Sequence, residues 1–421
     1  MAVYQPPKGM KDIASEEMER RKWIYSIIRK VLDSYSYSEV ASTELETWET
    51  LAAKAGEDNL NEVYDFKDKA DRRLALRFDL TCGIARMVAN MRVPKPIKLY
   101  AIGNSWRYDA PQKGRYRSFT QWDVELFGTD TQDADAEIIA VSCCILKMLG
   151  ADFDVKINNR KFVESIFSYL NIDKHSWKNI MRVVDKIPKL KKSNILEEFK
   201  KAGLNEDKAS QLLAVLARKG KAKDLIPKLK KEFEGNDKIL DSISTLEQLF
   251  TALKPYGIGD RCILDLSIVR GIGYYTGIVF EAFDRKQPNL GSLFAGGRFD
   301  SLVGIYGTED MPAVGVGGGM ERLIEVLENS RAFDKMPKKK TVFVAPVTSY
   351  VRPYAVKTAS FLRDKGFASE LDLIGRNLKK QFDYANKKRF DYIAVIGEKE
   401  VESKTFVLRD MDSGKEKRVR L

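Results

Sequence analysis

The chain has 421 residues, of which 44% are hydrophobic and 31% are charged, and its formal net charge is +12. This length predicts two or three domains with sizeable cores, and no apolar run approaches the roughly 18 residues of a membrane-spanning helix. The single histidine, His175, excludes H-E-x-x-H zinc sites and disfavours a Ser-His-Asp triad, and the chain has no G-x-x-x-x-G-K-S/T loop for ATP phosphates.

The N-terminal segment and the cysteines predict a cytoplasmic protein. The segment lacks the apolar core of a signal peptide. The cysteines form no C-x-x-C pair and are typical of small buried residues in a reducing compartment: Cys82, Cys143, Cys144 and Cys262. We therefore expect a cytoplasmic location and no membrane contact.

Positive charge is concentrated in two segments. Residues 160–254 carry 21 Lys and Arg against 13 Asp and Glu, and residues 336–421 carry 20 against 11. The two net charges are +8 and +9, so the rest of the chain sums to −5. Two basic segments favour contact with a polyanion, most plausibly nucleic acid, at two places, but a lysine-rich solvated surface explains them about equally well.

The spacing of apolar residues predicts the elements in chain order. The first half is predicted to hold a helix over 15–35, a short strand over 72–78, a helix over 79–90, two strands within 98–128 joined by a basic loop, and a helix over 135–149. The second half is predicted to hold a mainly helical insertion over 160–255, strands at 263–269 and 278–283, a glycine-rich turn that feeds a helix within 315–329, and a charged linker over 331–340. Residues 341–421 then alternate strand and helix and end in a hairpin about 412–414.

The second strand within 98–128 separates an apolar face from a polar one. Alternation places Thr120, Trp122, Val124 and Leu126 on the first face, and Phe119, Gln121, Asp123 and Glu125 on the second. A polar face of this kind can simply meet water. A set of nearby cations favours a site instead: Arg107, Lys113, Arg115 and Arg117. Fixed cations beside fixed carboxylates suit a ligand with both phosphate and amine groups.

Three further segments pair a polar side chain with a turn. Asp79 and Thr81 lie where a helix begins, and helix capping is the better explanation for them. Arg270 closes an apolar strand, and the glycines and tyrosines of 271–275 follow it, a combination that favours a binding site. The glycine-rich run before Arg322 lets the backbone approach a ligand or another strand, and helix packing explains it almost as well. Arg322 itself needs a charge partner if it is buried.

On these motifs the chain resembles the histidyl-tRNA synthetase family of class II aminoacyl-tRNA synthetases over nearly its whole length. KGMKDI resembles the opening motif, residues 35–46 resemble motif 1 of the dimer interface, WRYD with the 109–117 loop resembles motif 2, and GVGGGMERL resembles motif 3. RFDLT and RGIGYYTG resemble loops specific to the histidine enzymes, and RFDLT is closer to the archaeal and eukaryotic form. Three residues depart from the pattern: Thr43 replaces the usual proline, Gly273 an aspartate of many relatives, and Asp109 a glutamate.

The resemblance implies an α+β catalytic domain with an antiparallel active-site sheet, a helical insertion and a C-terminal α/β anticodon-binding domain. The implied ranges are 1–159 and 256–330 for the two catalytic parts, 160–255 for the insertion, 331–340 for the linker and 341–421 for the anticodon-binding domain. It also implies a homodimer that uses ATP with Mg²⁺, L-histidine and tRNA(His). The insertion would then lie near the acceptor arm of the tRNA and the basic tail at its anticodon.

The resemblance further assigns roles to two groups of residues. Arg107 and Arg270 would act in catalysis at the α-phosphate, and the ATP-binding set would be Arg107, Asp109, Arg115, Phe119, Arg270 and Arg322. The histidine-binding set would be Asp79, Thr81, Gln121, Glu125, Tyr274 and Tyr275. In-line attack of a carboxylate on ATP needs positioning and cations without requiring a protein base. Imidazole offers one donor and one acceptor, which a carboxylate and a phenol hydroxyl can match. No protein-held metal site is predicted.

Other functions remain open on the sequence. Some histidyl-tRNA synthetase-like chains are non-catalytic, and serve as regulatory or tRNA-sensing proteins. The regulatory form usually lacks the C-terminal domain and the ATP-site arginines, whereas Arg107, Arg270, Arg322 and the basic tail are all present here. An enzyme of the same class for another amino acid, such as proline, is disfavoured by Glu125 and the RGIGYYTG loop. We therefore expect a histidine–tRNA ligase that forms histidyl-adenylate.

Overall fold

The structure is a computed structural model that describes residues 4–187, 192–270 and 274–421, without the side chains of 54–59, 192 and 193. The helices of the described residues are α1 (Ser15–Ser34), α2 (Trp48–Leu60), α3 (Thr81–Ala89), α4 (Gln132–Met148), α5 (Arg160–Tyr169), α6 (Trp177–Val184), α7 (Lys192–Lys201), α8 (Glu206–Leu216), α9 (Ala222–Glu232), α10 (Asp237–Leu253), α11 (Leu302–Tyr306), α12 (Met320–Asn329), α13 (Arg352–Asp364), α14 (Leu378–Lys387) and α15 (Glu398–Ser403). In this part of the chain, no helix is both long enough and apolar enough to span a bilayer.

The strands form three sheets, and the chain divides into two compact units, 1–334 and 335–421. The strands are β1 (Ser38–Glu39), β2 (Leu45–Thr47), β3 (Asp65–Lys67), β4 (Arg73–Leu76), β5 (Ile97–Trp106), β6 (Ser118–Phe127), β7 (Phe153–Asn159), β8 (Lys219–Gly220), β9 (Cys262–Asp265), β10 (Ile278–Asp284), β11 (Phe294–Arg298), β12 (Ala313–Gly319), β13 (Thr341–Pro346), β14 (Ala368–Leu371), β15 (Tyr392–Ile396), β16 (Thr405–Asp410) and β17 (Glu416–Arg420).

A nine-stranded sheet carries the first unit, in the order β1-β5-β6-β12-β11-β10-β7-β9-β8. Only β1 with β5 and β7 with β9 are parallel, so the predicted antiparallel sheet is confirmed. A smaller antiparallel sheet, β2-β4-β3, lies in the same unit.

Strand β6 is buried on both faces. Trp122 and Val124 belong to one hydrophobic core with Ile24 and Ile28 of α1 and with the apolar side of α4. On the polar face, Asp123 is 2% and Glu125 1% exposed, whereas Phe119 and Gln121 are half-buried. The simple explanation that this face meets water is therefore wrong for the two carboxylates. Carboxylates that are taken out of water need partners or a function.

The glycine-rich run that the sequence predicts as a turn is strand β12, which pairs antiparallel with β6 over residues 313–319. The prediction failed because glycine is usually a weak strand former. Here the missing β-carbons leave room for the neighbouring strand's side chains. A β-carbon on Gly315 would collide with the Glu125 carboxylate, and one on Gly318 would collide with the Trp122 ring. The run therefore accommodates the polar and aromatic side chains of β6.

The segment over 160–255 is mainly helical, as predicted, and runs from α5 to α10. It also adds the two-residue strand β8 to the edge of the large sheet. Phe162, Ile243 and Leu246 share one core with α4 and β7, and the whole segment lies within the first compact unit. Its boundaries as a separate domain stay a prediction.

The predicted linker over 331–340 begins with residues of the first unit. Residues Ala332–Lys335 form a 3-10 turn in which Ala332 is buried. The Phe333 ring lies edge-on to Trp23 of α1, with 5.7 Å between ring centroids.

The second unit is a five-stranded mixed sheet in the order β14-β13-β15-β16-β17. β13 runs parallel to both of its neighbours, and β16 and β17 form the predicted hairpin. Its helix α13 packs Ala355 and Leu362 onto Val342 and Val344 of β13. The predicted α/β character of the tail is thus confirmed.

Candidate active site

Thr81 joins the start of α3 to the polar face of β6. Its hydroxyl donates to Glu125 Oε1 at 2.7 Å and lies 3.4 Å from Asp123 Oδ2. Asp79 Oδ1 accepts the backbone N–H of Cys82 at 3.1 Å, so the capping interpretation holds for Asp79. Thr81 has a different role, because its hydroxyl lies between two buried carboxylates of β6.

The tyrosine pair lies near enough to Asp79 for that carboxylate to act on Tyr274. The Tyr274 and Tyr275 hydroxyls are 3.2 Å apart, and their ring centroids are 4.4 Å apart. Burial raises the pKa of the Tyr274 phenol well above its ordinary value, and Tyr275 acts in the same direction. Tyr274 is therefore a neutral phenol that can donate. The preceding residues 271–273, including the Gly273 departure, lie outside the described residues.

Gln121 occupies the polar face of β6 one pleat before Asp123. It pairs with Gly103 of β5 and Gly319 of β12, neither of which carries a side chain. The Gln121 side-chain oxygen is buried and has no hydrogen-bond partner among the described residues. An unused buried acceptor is available for a donor on a ligand.

Arg107 and Phe119 lie where strands β5 and β6 leave the sheet. Arg107 Nε donates to the Phe78 carbonyl at 2.9 Å, and its guanidinium lies 5.2 Å from the centroid of the Phe119 ring. The Arg107 N–H also donates to the Arg117 carbonyl at 2.9 Å, which ties the two ends of the loop together. The guanidinium and the aromatic face are therefore presented side by side.

The loop over 109–116 folds back onto α12. Arg115 forms an ion pair with Asp109 inside the loop. Gly114 has φ +71° and lies so close to Arg322 that a β-carbon would approach its Cγ to 3.2 Å. Lys113, in contrast, points away and pairs with Glu325 while its side chain stays 72% exposed. The loop thus delivers Arg115 towards Arg322 and leaves Lys113 outside.

Arg322 lies among other cations. Its Nη1 lies 3.3 Å from the Ser292 carbonyl. Burial lowers the pKa of the Arg322 guanidinium, and the charges of Arg115, Arg107 and Arg270 lower it further, partly opposed by Glu281. The charges of arginines from the β5–β6 loop and from Arg270 therefore act on Arg322, an arrangement that suits a polyphosphate.

Arg270 has an unusual backbone and a strong partner. Its φ is +54°, a left-handed conformation that non-glycine residues rarely adopt. Its Nη1 donates to Glu281 Oε1 at 2.7 Å. Burial lowers the pKa of this guanidinium, but Glu281 and the two tyrosines more than offset that effect, so the pKa is raised. Arg270 is charged at every physiological pH.

Thr276, which follows the tyrosine pair, belongs to a network of hydrogen bonds and ion pairs that supports this loop. The Thr276 hydroxyl donates to Asp300 Oδ2 at 2.7 Å, and the Thr276 N–H donates to the Arg298 carbonyl at 2.8 Å. Arg298 forms a buried ion pair with Asp135 of α4 at 2.8 Å. Burial raises the pKa of the Asp135 carboxyl to about 6, although Arg298 opposes the shift.

Comparison with known proteins agrees with this geometry. A family model described as histidyl-tRNA synthetase matches residues 9–323, and one described as an anticodon binding domain matches residues 341–421. The chain belongs to the histidyl-tRNA synthetase family. It is 36% identical over 417 residues to the histidine–tRNA ligase of Pyrococcus furiosus, covering 98% of this chain and 96% of that protein.

Solved structures of the histidyl-tRNA synthetase family share the fold. The structure of histidyl-tRNA synthetase from Nostoc sp. PCC 7120 is 27% identical, has a TM-score of 0.85, and covers 100% of this chain and 97% of that one. A Bacillus halodurans structure described as an ATP phosphoribosyltransferase regulatory subunit/histidyl-tRNA synthetase is 25% identical, with a TM-score of 0.79, over 94% of this chain and 98% of that one.

Within this histidyl-tRNA synthetase fold, the predicted site residues form two adjoining groups. Thr81 contacts Glu125, and Tyr274 contacts Tyr275. The second group contains the four arginines, with Phe119 and Asp109. Glu281 was missed, although a single charged residue in the apolar strand IVFEAF was a usable signal. Glu62 was also missed, and no motif marks it; burial and Asp109 raise the pKa of its carboxyl.

Proposed function

We propose that the chain is a histidine–tRNA ligase: it activates L-histidine with ATP to histidyl-adenylate and transfers the histidyl group to the 3′ end of tRNA(His). One observation carries the proposal. The charges of Arg107, Arg115 and Arg270 act on Arg322, and Arg270 also interacts with Tyr274 and Tyr275. That juxtaposition suits a reaction between a triphosphate and an amino acid. Family membership and full-length similarity to a histidine–tRNA ligase support the same conclusion.

In the ATP half, the proposed roles are those that the family resemblance implies. Arg107 holds the α-phosphate, and Phe119 beside it stacks on adenine. Arg322 holds the tail of the triphosphate together with Arg115, whose ion pair with Asp109 fixes the loop. Arg270 stabilises the charge that develops on the α-phosphate when the histidine carboxylate attacks.

In the histidine half, Asp79 and Thr81 hold the amino group, with Gln121 nearby. Glu125 accepts the imidazole N–H, and the neutral Tyr274 hydroxyl, which donates to Tyr275 in this structure, turns to donate to the other ring nitrogen. A side chain without this donor and acceptor pattern would leave buried polar groups unpaired, which is the strongest basis for rejection.

Mg²⁺ accompanies ATP in this proposal. Among the described residues, no group of three or more His, Cys, Asp or Glu side chains could hold a metal ion. Mg²⁺ is often held by substrate phosphates with only one or two carboxylates, which fits a site rich in arginines. The protein's own contribution is therefore the arginine cluster, and Mg²⁺ would neutralise phosphate charge when bound.

A homodimer is proposed for the motif 1 side of the first unit. A groove of about 350 Å³ beside the edge strand β1 is lined by residues such as Tyr25, Ser42 and Asn104. The Ser42 hydroxyl is buried and has no hydrogen-bond partner among the described residues. The unpaired edge of β1 and the Ser42 hydroxyl without a partner support contact with a second copy of the chain. Sedimentation equilibrium measures this directly, and a monomer at micromolar concentration contradicts it.

The proposed tRNA contacts rest on the distribution of positive charge. The proposed cytoplasmic location rests on the free thiols. The net charges of +8 over 160–254 and +9 over 336–421 suit the tRNA acceptor arm and anticodon, respectively. The four cysteines are free, and Cys82, Cys143 and Cys262 are buried. Free buried thiols suit the reducing cytoplasm.

ATP–pyrophosphate exchange with each of the twenty amino acids tests the function. We expect exchange with histidine alone, followed by charging of tRNA(His). Absence of exchange with histidine contradicts the enzyme and favours a non-catalytic tRNA-binding or regulatory protein. Exchange with a different amino acid contradicts the histidine assignment and leaves the synthetase class in place.

A further inference from the structure

Glu281 lies behind the proposed catalytic arginine and has no role in the functions described above. It belongs to β10, where it pairs with Ala295 of β11 and Lys156 of β7 in the middle of the sheet. Its side chain is 13% exposed, and its Oε1 lies 2.7 Å from Arg270 Nη1. The carboxylate is therefore fixed by a rigid strand, whereas Arg270 lies outside any helix or strand.

Arg270 needs such a support. Its left-handed backbone at φ +54° is disfavoured for a residue with a β-carbon. Its side chain has several rotatable bonds, and its Nε is buried with no hydrogen-bond partner among the described residues. Glu281 holds one guanidinium nitrogen and leaves Nε for another acceptor. A phosphate oxygen is the acceptor that the proposed reaction supplies.

We propose that Glu281 is a positioning residue that fixes the Arg270 guanidinium for transition-state stabilisation during histidine activation. This inference rests on the proposed function, because it assumes that Arg270 acts at the α-phosphate. Glu281 itself does not contact ATP in the proposal; it acts through Arg270. Misplacement of a catalytic group by about 1 Å can cost roughly 100-fold in rate.

Simple charge balance is the competing explanation, and it predicts a different kinetic result. Glu281 also opposes the mutual repulsion felt by Arg322. If it only neutralised the cluster, its removal would make the site more positive, lower the KM for ATP and leave the rate of chemistry unchanged. If it positions Arg270, its removal lowers the rate, while the KM for histidine is unchanged because no histidine-site residue is altered.

A double-mutant cycle separates these explanations. The full-length variants are Arg270→Ala, Glu281→Ala and the double variant, and single-turnover adenylate formation is measured at saturating ATP and histidine. We expect Glu281→Ala to slow the reaction about 100-fold, and the double variant to be no slower than Arg270→Ala alone. The inference is overturned if the two rate losses multiply in the double variant. It is also overturned if Glu281→Ala reacts within about threefold of the wild-type rate.

Controls distinguish folding from positioning. Glu281→Gln keeps the shape of the side chain and is the second test if Glu281→Ala does not fold; we expect a loss of at least about tenfold. Glu164→Ala removes the partner of Arg160, a pair of similar geometry at 2.9 Å on α5, and should leave the rate unchanged. A near-normal Arg270→Ala rate removes Arg270 from catalysis, whereas an impaired Arg270→Ala with normal Glu281 variants overturns only the role of Glu281.

Discussion

The two halves of the site are built in opposite ways. In the histidine half, the polar groups already bond to each other, as Thr81 does to Glu125 and Tyr274 to Tyr275. In the ATP half, like charges are gathered, and the pKa of Arg322 is lowered by burial and by its neighbours. The ATP half also holds the ion pairs Arg115–Asp109 and Arg270–Glu281, but the charge of Arg322 remains disfavoured, and a polyanion would relieve this. We therefore expect recognition of histidine to depend on fixed geometry, and recognition of ATP on charge.

The largest expected effect comes from a substitution in the histidine half of the site. Glu125→Gln keeps the shape and an oxygen that Thr81 can reach, but it removes the negative charge proposed to accept the imidazole N–H. We expect kcat/KM for histidine in pyrophosphate exchange to fall roughly 1000-fold, with the KM for ATP unchanged. A comparable rise in the KM for ATP would show that the two halves are not separable.

A substitution in the ATP half should lower activity but raise the stability of the protein. Arg322→Met removes a buried charge from a cluster of cations and keeps most of the side-chain volume. We expect the KM for ATP to rise about 100-fold, while the melting temperature of the free protein rises by a few degrees. Calorimetry without ligand and exchange kinetics measure the two effects. A lower melting temperature would contradict the electrostatic strain that we infer.

The support beneath the tyrosine loop should depend on pH. Burial raises the native pKa of Asp135 to about 6, above the ordinary value of 3.8 that the unfolded chain retains. The native state therefore binds more protons between these values, and this stabilisation is fully present below about pH 4 and is lost as pH rises through 6. Relative to Asp135→Asn, the unfolding free energy of the wild type should fall by about 2 kcal/mol between pH 4 and 7. A pH-independent difference in denaturant titrations contradicts the shift.

Local patterns predicted most of the fold, and long-range contacts explain what they missed. Two-residue alternation correctly separated Trp122 from Asp123, because side chains in a strand point to opposite faces. The same rule could not show that Asp123 is buried and does not meet water. The strand β12 was mistaken for a turn because its glycines are explained by Glu125, a residue 190 positions earlier in the chain. Periodicity along the sequence cannot reveal contacts between residues that lie so far apart in the chain.

The site shows the same limit. Motif resemblance selected Arg107, Arg270 and Arg322, but nothing in their spacing showed that the charges of the first two act on the third. Glu281 was overlooked because its significance depends on Arg270, which comes from a different part of the chain. Residues that we propose to act directly were recognisable from motifs, whereas the residue that we propose to act through a neighbour required the structure.

The smallest expected effect on activation concerns the loop, where ATP and the tRNA end could compete for the same cations. Arg115 faces Arg322, but Lys113 is mostly exposed and pairs with Glu325 on the outer side of α12. Exposed pairs of this kind contribute at most about 1 kcal/mol. Lys113→Ala should therefore change pyrophosphate exchange by less than about twofold, yet weaken the salt-dependent binding of tRNA, since a phosphate can replace Glu325 as its partner. Arg115→Ala is the matched comparison and should impair exchange itself. Equal losses for both variants would mean that the loop serves ATP along its whole length.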